Sequence, residues 1–157
     1  MMCNAYAAEY DVPAKVVRLT QTFGAGVEYK DGRVFAEFMR CAMEKRNIVL
    51  HTTGETERCY LYTADAVAAI ITVLLKGNKG EVYNVANPDT YCSIRKMAEL
   101  AADIGGVSVD FEIDSIQRGY ADTLFSMLDV SKMLELGWTP KVALREMFNR
   151  MIAAQSD

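Results

Sequence analysis

The residues of this sequence that are best suited to chemistry are arginines at the ends of predicted loops. Arg58 lies between a turn and a short strand, and Arg33 directly precedes an amphipathic helix. Because a planar guanidinium can hold two oxyanion oxygens at once, the chemistry expected of such residues is anion binding. A cation next to a helix N-terminus is mildly unfavourable, which hints at a ligand for Arg33. Composition alone favours a solvated loop charge for Arg58.

Other polar residues stand out because of the elements that contain them. Asn84 lies inside a predicted strand, where asparagine is disfavoured, so we expect it to make a specific hydrogen bond, either structural or to a ligand. Thr20 and Gln21 follow the C-terminal end of another strand, which is where open α/β sheets bind ligands. Arg118 is a candidate second anion-binding arginine, with a surface charge as its alternative.

The cysteine and histidine content argues against a metal centre. The four cysteines are widely spaced without a Cys-x-x-Cys pair, and His51 is the only histidine. No metal site or disulfide framework is therefore expected, and the thiols are predicted to be reduced and mostly buried. Asp65, in the first turn of a predicted helix, is interpreted as a structural carboxylate.

Alternating strand and helix patterns must position these residues, and this alternation predicts an α/β fold. Strands are predicted at 15–19, 48–51, 59–62, 81–86 and 107–113. Helices are predicted at 1–10, 34–45, 63–76, 93–106 and 129–137, and a last one opens at Thr139-Pro140. Thr63, Ser93 and Asp129 are the predicted caps, residues 24–32 a loop, and 87–89 a turn.

Residues 16–19 and 82–86 are the best candidates for a parallel sheet. Such sheets normally have more than two strands, so we expect further structure upstream of Met1.

Charge and hydropathy exclude two classes of partner. The 157 residues carry a formal charge of −4, and no basic surface is visible, so nucleic acid is not expected as a partner. The longest apolar stretch, Ala64 to Leu75, is too short to span a membrane. The N-terminus has no basic region followed by an apolar run, so a cytoplasmic location is expected.

Six short motifs occur in an order that resembles the C-terminal half of the extended short-chain dehydrogenase/reductase family, the nucleotide-sugar epimerases, dehydratases and decarboxylases. They are Tyr6-Ala-Ala-Glu-Tyr10 with Val16-Val-Arg-Leu19, Gln21-Thr-Phe-Gly-Ala-Gly26, Asp31-Gly-Arg-Val34 with Phe38, Gly54-Glu-Thr-Glu-Arg58 with Tyr62-Thr-Ala-Asp65-Ala-Val67, Tyr83-Asn-Val85, and Leu136-Gly-Trp-Thr-Pro-Lys141. The third is particularly similar to UDP-glucuronate decarboxylases. Gln21 and Ala25 stand where the family usually has Asn and Pro.

The resemblance implies a partial Rossmann-like sheet that lacks its N-terminal half, with a small α/β substrate-binding domain. Residues 1–157 would form a single domain, of which residues 1–32 are a remnant of the dinucleotide-binding half. The implied activity is that of an NAD-dependent nucleotide-sugar epimerase, dehydratase or decarboxylase. The sequence contains no Gly-x-x-Gly-x-x-Gly and no Tyr-x-x-x-Lys, where the family places its pyrophosphate loop and its acid/base pair. The chain alone is therefore expected to be inactive and not to bind NAD.

Site residues are also implied by the resemblance. The ligand would be a nucleoside diphosphate sugar, bound by Arg58, Asn84, Arg33, Gln21, Val34 and Arg118. Thr20 and Gln21 would border the nicotinamide. Two alternatives are a sugar-nucleotide-binding module without catalysis and an inactive truncated product that only oligomerises. A homo-oligomer is expected through the N-terminal segment, with contacts that include Met2, Tyr6, Val16 and Leu19.

Overall fold

Helices and strands alternate along most of the chain, which confirms the predicted α/β class. The computed structural model describes residues 2–113 and 123–155. The helices are α1 Met2–Glu9, α2 Val34–Glu44, α3 Thr63–Lys76, α4 Ile94–Gly105, α5 Ser131–Glu135 and α6 Leu144–Ala153. The strands are β1 Val16–Leu19, β2 Gln21–Phe23, β3 Ile48–Leu50, β4 Glu57–Tyr62, β5 Val82–Val85, β6 Asn87–Ser93, β7 Val109–Phe111 and β8 Phe125–Ser126.

The strands pair in three small groups within this part of the chain. The expected parallel pair is present, with β1 beside β5 in the register Val16 to Val82. Strand β4 is central to the second sheet, where it lies parallel to β2 and β8 and antiparallel to β6. Strands β3 and β7 form a third, parallel pair.

Thr20 connects the first sheet to the second. Its backbone N–H donates to the carbonyl of Val85 on β5 at 3.0 Å. Its hydroxyl donates to the carbonyl of Cys59 on β4 at 2.7 Å. Both donors of Thr20 are thus used to hold the strands together at the point where β1 ends and β2 begins.

The largest core lies between the second sheet and helices α2, α4 and α6. Phe23, Tyr60 and Tyr62 supply the sheet side of this core. A second core joins α3 to β5 and contains Trp138. Three of the four cysteines are buried and all four are free, as predicted.

Two predicted helix starts differ from the structure. Thr63 is the first residue of α3 and not its cap, because β4 runs directly into the helix and Tyr62 occupies the cap position. The last helix begins at Leu144 and not at Pro140. The N–H groups of Lys141 and Val142 donate instead to the carboxylate of Asp65, at 3.0 and 3.1 Å, which keeps them out of the helix. The Ser93 cap is confirmed, since its hydroxyl accepts the N–H of Lys96.

Several strand boundaries also differ from the prediction. Residues 87–89, predicted as a turn, begin strand β6. The Thr90 hydroxyl accepts the N–H of Tyr60 at 2.8 Å and lies 2.6 Å from the carbonyl oxygen of Asn87, so a side chain replaces a backbone hydrogen bond where β6 bulges. Residues 21–23 form strand β2 and were not predicted as a strand. The strand predicted at 107–113 is confined to Val109–Phe111, and α5 is capped by Val130, one residue after Asp129.

Many large apolar side chains are exposed, and two groups of them matter for association. The N-terminal segment exposes Met2, Tyr6, Tyr10, Val12 and Leu19. On α3 they form one stripe at helical spacing, which consists of Val67, Ile70, Ile71, Leu74 and Leu75. Among the described residues, the helices are all too short or too polar to cross a membrane.

Candidate functional site

Strand β4 places two polar side chains on the core face of the second sheet. Successive residues of a strand point to opposite faces, so Arg58, Tyr60 and Tyr62 share one face. The alternation is visible in the packing, because Tyr60 and Tyr62 belong to the largest core whereas Leu61 belongs to the core under α3. The β6 bulge leaves β4 itself continuous.

The neighbouring strands bring further polar residues to this face. Gln21 on β2 lies in register with Tyr60, and Ser126 on β8 lies in register with Arg58. Directly paired residues project to the same side of a sheet. Gln21 and Arg58, two residues predicted for the site, therefore lie on the same face of the sheet. Gln21 is next to Tyr60 on the neighbouring strand, and Arg58 is two residues before Tyr60 on β4.

Two buried polar atoms of this face lack a hydrogen-bond partner within the described structure. They are the Nε of Arg58 and the hydroxyl of Tyr60. Tyr60 is completely buried, and burial is the main reason that its pKa is raised; the nearby positive charge of Arg58 opposes this rise. The phenol therefore stays protonated at neutral pH. Unpaired buried polar groups are rare in native proteins, and each requires an explanation.

A series of aromatic contacts links Arg33 to the same region. The Arg33 guanidinium lies over the ring of Phe35, 4.7 Å from its centroid. Phe35 stacks on Phe23 at 4.4 Å, and Phe23 meets Tyr60 edge to face at 5.8 Å. One aromatic cluster thus connects Arg33 to Tyr60, which lies two residues after Arg58 on β4.

Arg33 already has a counter-ion. Its guanidinium pairs with the carboxylate of Asp31 at 2.6 Å, and its backbone N–H donates to that carboxylate at 2.8 Å. These hydrogen bonds hold the pKa of Asp31 at about 2, well below its usual value. Both residues line a cavity of about 410 Å³, together with Thr22, Val27 and Thr63. Val34 follows as the first residue of α2 and is half-buried.

Two other predicted site residues, Asn84 and Thr20, use their side chains for structural hydrogen bonds. The side-chain amide of Asn84 donates to the carbonyl of Asp129 at 3.1 Å, which is the structural hydrogen bond anticipated as one alternative. Thr20 uses its hydroxyl to hold β4. Arg118 lies outside the described residues.

A cavity of about 550 Å³ is lined by none of the predicted site residues. Glu57, Phe125 and Ser93 line it, and these three are in register with one another on the face of the sheet opposite Arg58. Tyr60 is the residue of the candidate site that the sequence did not reveal. Its position two residues after Arg58 in a predicted strand was the available signal.

Comparison with known proteins identifies the family of this chain. The profile of the NAD dependent epimerase/dehydratase family matches residues 1–86. UDP-glucuronic acid decarboxylase 1 of Xenopus tropicalis is 31% identical over 152 residues, which cover 96% of this chain and 35% of that protein. The dTDP-D-glucose 4,6-dehydratase of Mus musculus is 29% identical over 148 residues, covering 91% and 41% respectively.

Solved structures show the same fold. UDP-glucose 4-epimerase of Thermotoga maritima, solved with UDP-glucose, has a TM-score of 0.86 and 25% identity over 99% of this chain and 50% of its own. The dTDP-glucose 4,6-dehydratase of Bacillus anthracis, solved with NAD, has a TM-score of 0.83 and 22% identity over 99% and 49%. These likenesses confirm a partial Rossmann-like fold.

The chain spans about a third to two-fifths of the length of the curated relatives and about half of the solved chains. The family profile covers more than half of the present sequence. This chain belongs to the NAD dependent epimerase/dehydratase family.

Proposed function

We propose that this chain binds a nucleoside diphosphate sugar, as the substrate-binding part of an NAD-dependent nucleotide-sugar epimerase, dehydratase or decarboxylase. The observation that carries the proposal is the state of Arg58. Its guanidinium is half-buried on the core face of β4, and the ion pairs of the described residues do not include it. A partly buried cation without a counter-ion is costly, and a diphosphate would supply the missing negative charge.

The neighbours of Arg58 suit such a ligand. Gln21 can add a neutral amide donor from the adjacent strand. Arg33 and Val34 would contact the nucleotide at the far end of the aromatic cluster. Asp31 already balances the charge of Arg33. Arg33 would therefore contribute to nucleotide binding through stacking and hydrogen bonding more than through its charge. For Asn84, the hydrogen bond to Asp129 supports the structural alternative.

The names of the relatives support the same ligand class. UDP-glucuronic acid, dTDP-glucose and UDP-glucose, the sugars named for them, are all nucleoside diphosphate sugars. Their base, sugar and reaction differ, whereas the diphosphate is common to all. An arginine that binds the diphosphate is therefore the feature most readily shared with this chain.

NAD fits the residues present only in part. Bound NAD would accept a hydride from the sugar. Thr20 and Gln21 would border it, but the hydroxyl and N–H of Thr20 already donate to backbone carbonyls of β4 and β5. The sequence offers no glycine-rich loop for the pyrophosphate. We therefore propose that residues 1–32 are the remnant of a dinucleotide-binding half, and that the chain alone does not bind NAD.

The test is calorimetric titration of the chain with UDP-glucose and with dTDP-glucose. Arg58→Gln is expected to weaken binding by about ten- to a hundredfold, because a charge-assisted hydrogen bond contributes roughly 1.5–3 kcal/mol. Arg145→Gln is the matched control, since Arg145 is exposed and pairs with Asp103. Equal affinities of wild type and Arg58→Gln, or no binding of either sugar nucleotide by wild type, would contradict the proposal. NAD is titrated in parallel and should not bind at micromolar concentration.

We also propose that the chain self-associates through its N-terminal segment. Met2, Tyr6 and Leu19 are exposed apolar residues on α1 and β1. In the described structure β1 pairs only with β5, so its other edge can accept a strand. Light scattering at micromolar concentration should show a dimer or larger species that Tyr6→Glu with Leu19→Glu dissociates. A monodisperse wild-type monomer would refute this, and dissociation by Leu74→Glu alone would place the contact on the α3 stripe instead.

A further inference from the structure

The proposed function assigns no role to Tyr60, which lies on the same face of β4 as Arg58. Both side chains lie on the core face of β4, two residues apart, and each has a buried polar atom without a partner in the described part of the chain. We propose that Tyr60 is a positioning residue for Arg58: its hydroxyl oxygen accepts the Arg58 Nε–H through one bridging water molecule, so that the two terminal amino groups of the guanidinium remain free for a diphosphate. This inference rests on the proposed function.

The chemistry of the two groups makes them suitable partners. The Nε–H of arginine can only donate, whereas a tyrosine oxygen can accept and its hydroxyl can still donate. Side chains at positions i and i+2 of a strand start about 7 Å apart, which one water molecule can bridge between long side chains. One bridge of this kind would satisfy both buried atoms, and an unsatisfied buried polar atom destabilises the fold.

The surroundings leave few other partners for the tyrosine hydroxyl. The Tyr60 ring is held by Phe23 and the largest core, and its backbone is held by Thr90, so the side chain has little freedom to turn away. Cys92, the register partner of Arg58, is a buried thiol and a weak hydrogen-bonding group. Burial keeps Tyr60 protonated, so the phenol itself adds no negative charge that would compete with the ligand for Arg58.

A fixed Nε has a consequence for binding. A guanidinium that is held at Nε presents its remaining amino groups in a single orientation, which suits bidentate contact with phosphate oxygens. Without this hold the side chain must be ordered by the ligand itself, and the lost rotamer freedom reduces affinity. Tyr60→Phe should therefore weaken sugar-nucleotide binding although Tyr60 does not touch the ligand.

The experiment compares UDP-glucose affinity in a double-mutant cycle of Tyr60→Phe and Arg58→Lys. Tyr60→Phe is expected to weaken binding about five- to tenfold when Arg58 is present. It should have no effect in the Arg58→Lys background, because lysine has no guanidinium whose Nε–H could bond to the bridging water. Tyr83→Phe is the matched control: Tyr83 is also buried, but its hydroxyl accepts the N–H of Asn78. It should alter stability and leave affinity unchanged.

A second measurement does not depend on the ligand. In the free protein, the Nε–H resonance of Arg58 should exchange slowly with solvent in the wild type and fast in Tyr60→Phe. If the wild type binds neither UDP-glucose nor dTDP-glucose, the proposed function fails, and this exchange measurement still decides the role of Tyr60. Equal exchange in both proteins, or an affinity loss of the same size in the Arg58→Lys background, overturns the inference.

Discussion

Replacing Asp65 by alanine is expected to lower the free energy of unfolding by about 3–5 kcal/mol. Its buried carboxylate accepts the backbone N–H groups of Lys141 and Val142, at 3.0 and 3.1 Å. A hydrogen bond to a charged group contributes about 1.5–3 kcal/mol, and two are lost together. The N–H of Val142 is also buried and would be left without a partner.

The effect is large because this carboxylate joins distant parts of the chain. Asp65 lies in the first turn of α3, and the residues it binds precede α6, more than 70 positions later. The indole N–H of Trp138 donates to the backbone carbonyl of Asp65, a contact that the substitution leaves intact. The expected loss is therefore that of the carboxylate alone.

Urea denaturation followed by circular dichroism measures this loss. Asp65→Asn keeps one oxygen acceptor without the charge and should cost roughly half as much. Asp89→Ala is the control, since Asp89 is an exposed acidic residue, and it should change stability by less than about 0.5 kcal/mol. Unfolding midpoints that coincide for Asp65→Ala and Asp89→Ala would show that the carboxylate does not hold the two segments together.

The elements of this fold that the sequence predicts well are those determined by local pattern. The 3.6-residue spacing of apolar residues predicted α2 and α4, and Ser93 predicted the start of α4. The parallel pair β1 and β5 followed from two β-branched runs. Elements that depend on distant partners were misplaced, because a pattern along the chain contains no register. Strand β6 is held to β4 in part by the Thr90 hydroxyl, which accepts the backbone N–H of Tyr60. Helix α6 begins later than predicted because the Asp65 carboxylate binds the N–H of Val142.

The candidate site likewise contains features that local pattern predicts and features that depend on distant partners. Arg58 was identified by its motif, and Gln21 by its position after a strand, but their proximity depends on the β2 to β4 register across almost forty residues. Tyr60 has the residue type of an ordinary core aromatic. Only its packing shows that its hydroxyl is buried and that no described residue bonds to it. Asn84 was correctly expected to make a specific hydrogen bond, but the sequence could not indicate that its partner is the Asp129 carbonyl.

Replacing Gly105 by alanine is expected to lower the free energy of unfolding by about 2–3 kcal/mol, although alanine is the better helix former by about 1 kcal/mol. Gly105 is the last residue of α4, where this helix meets α2. A Cβ atom at this position would lie 2.6 Å from the Cα of Ala42 and 3.1 Å from its carbonyl oxygen. These are backbone atoms of a packed helix, so the two helices would have to separate.

That separation should also reach the candidate site, because Phe35 near the start of α2 stacks on Phe23. Thermal and urea unfolding of Gly105→Ala test the stability loss. Gly26→Ala is the matched control, since a Cβ there meets nothing within 4 Å, and it should be neutral or slightly stabilising. If Gly105→Ala unfolds at the same midpoint as Gly26→Ala, the helices can absorb a methyl group at this crossing, and α2 is not held in place by the close approach of Gly105 to Ala42.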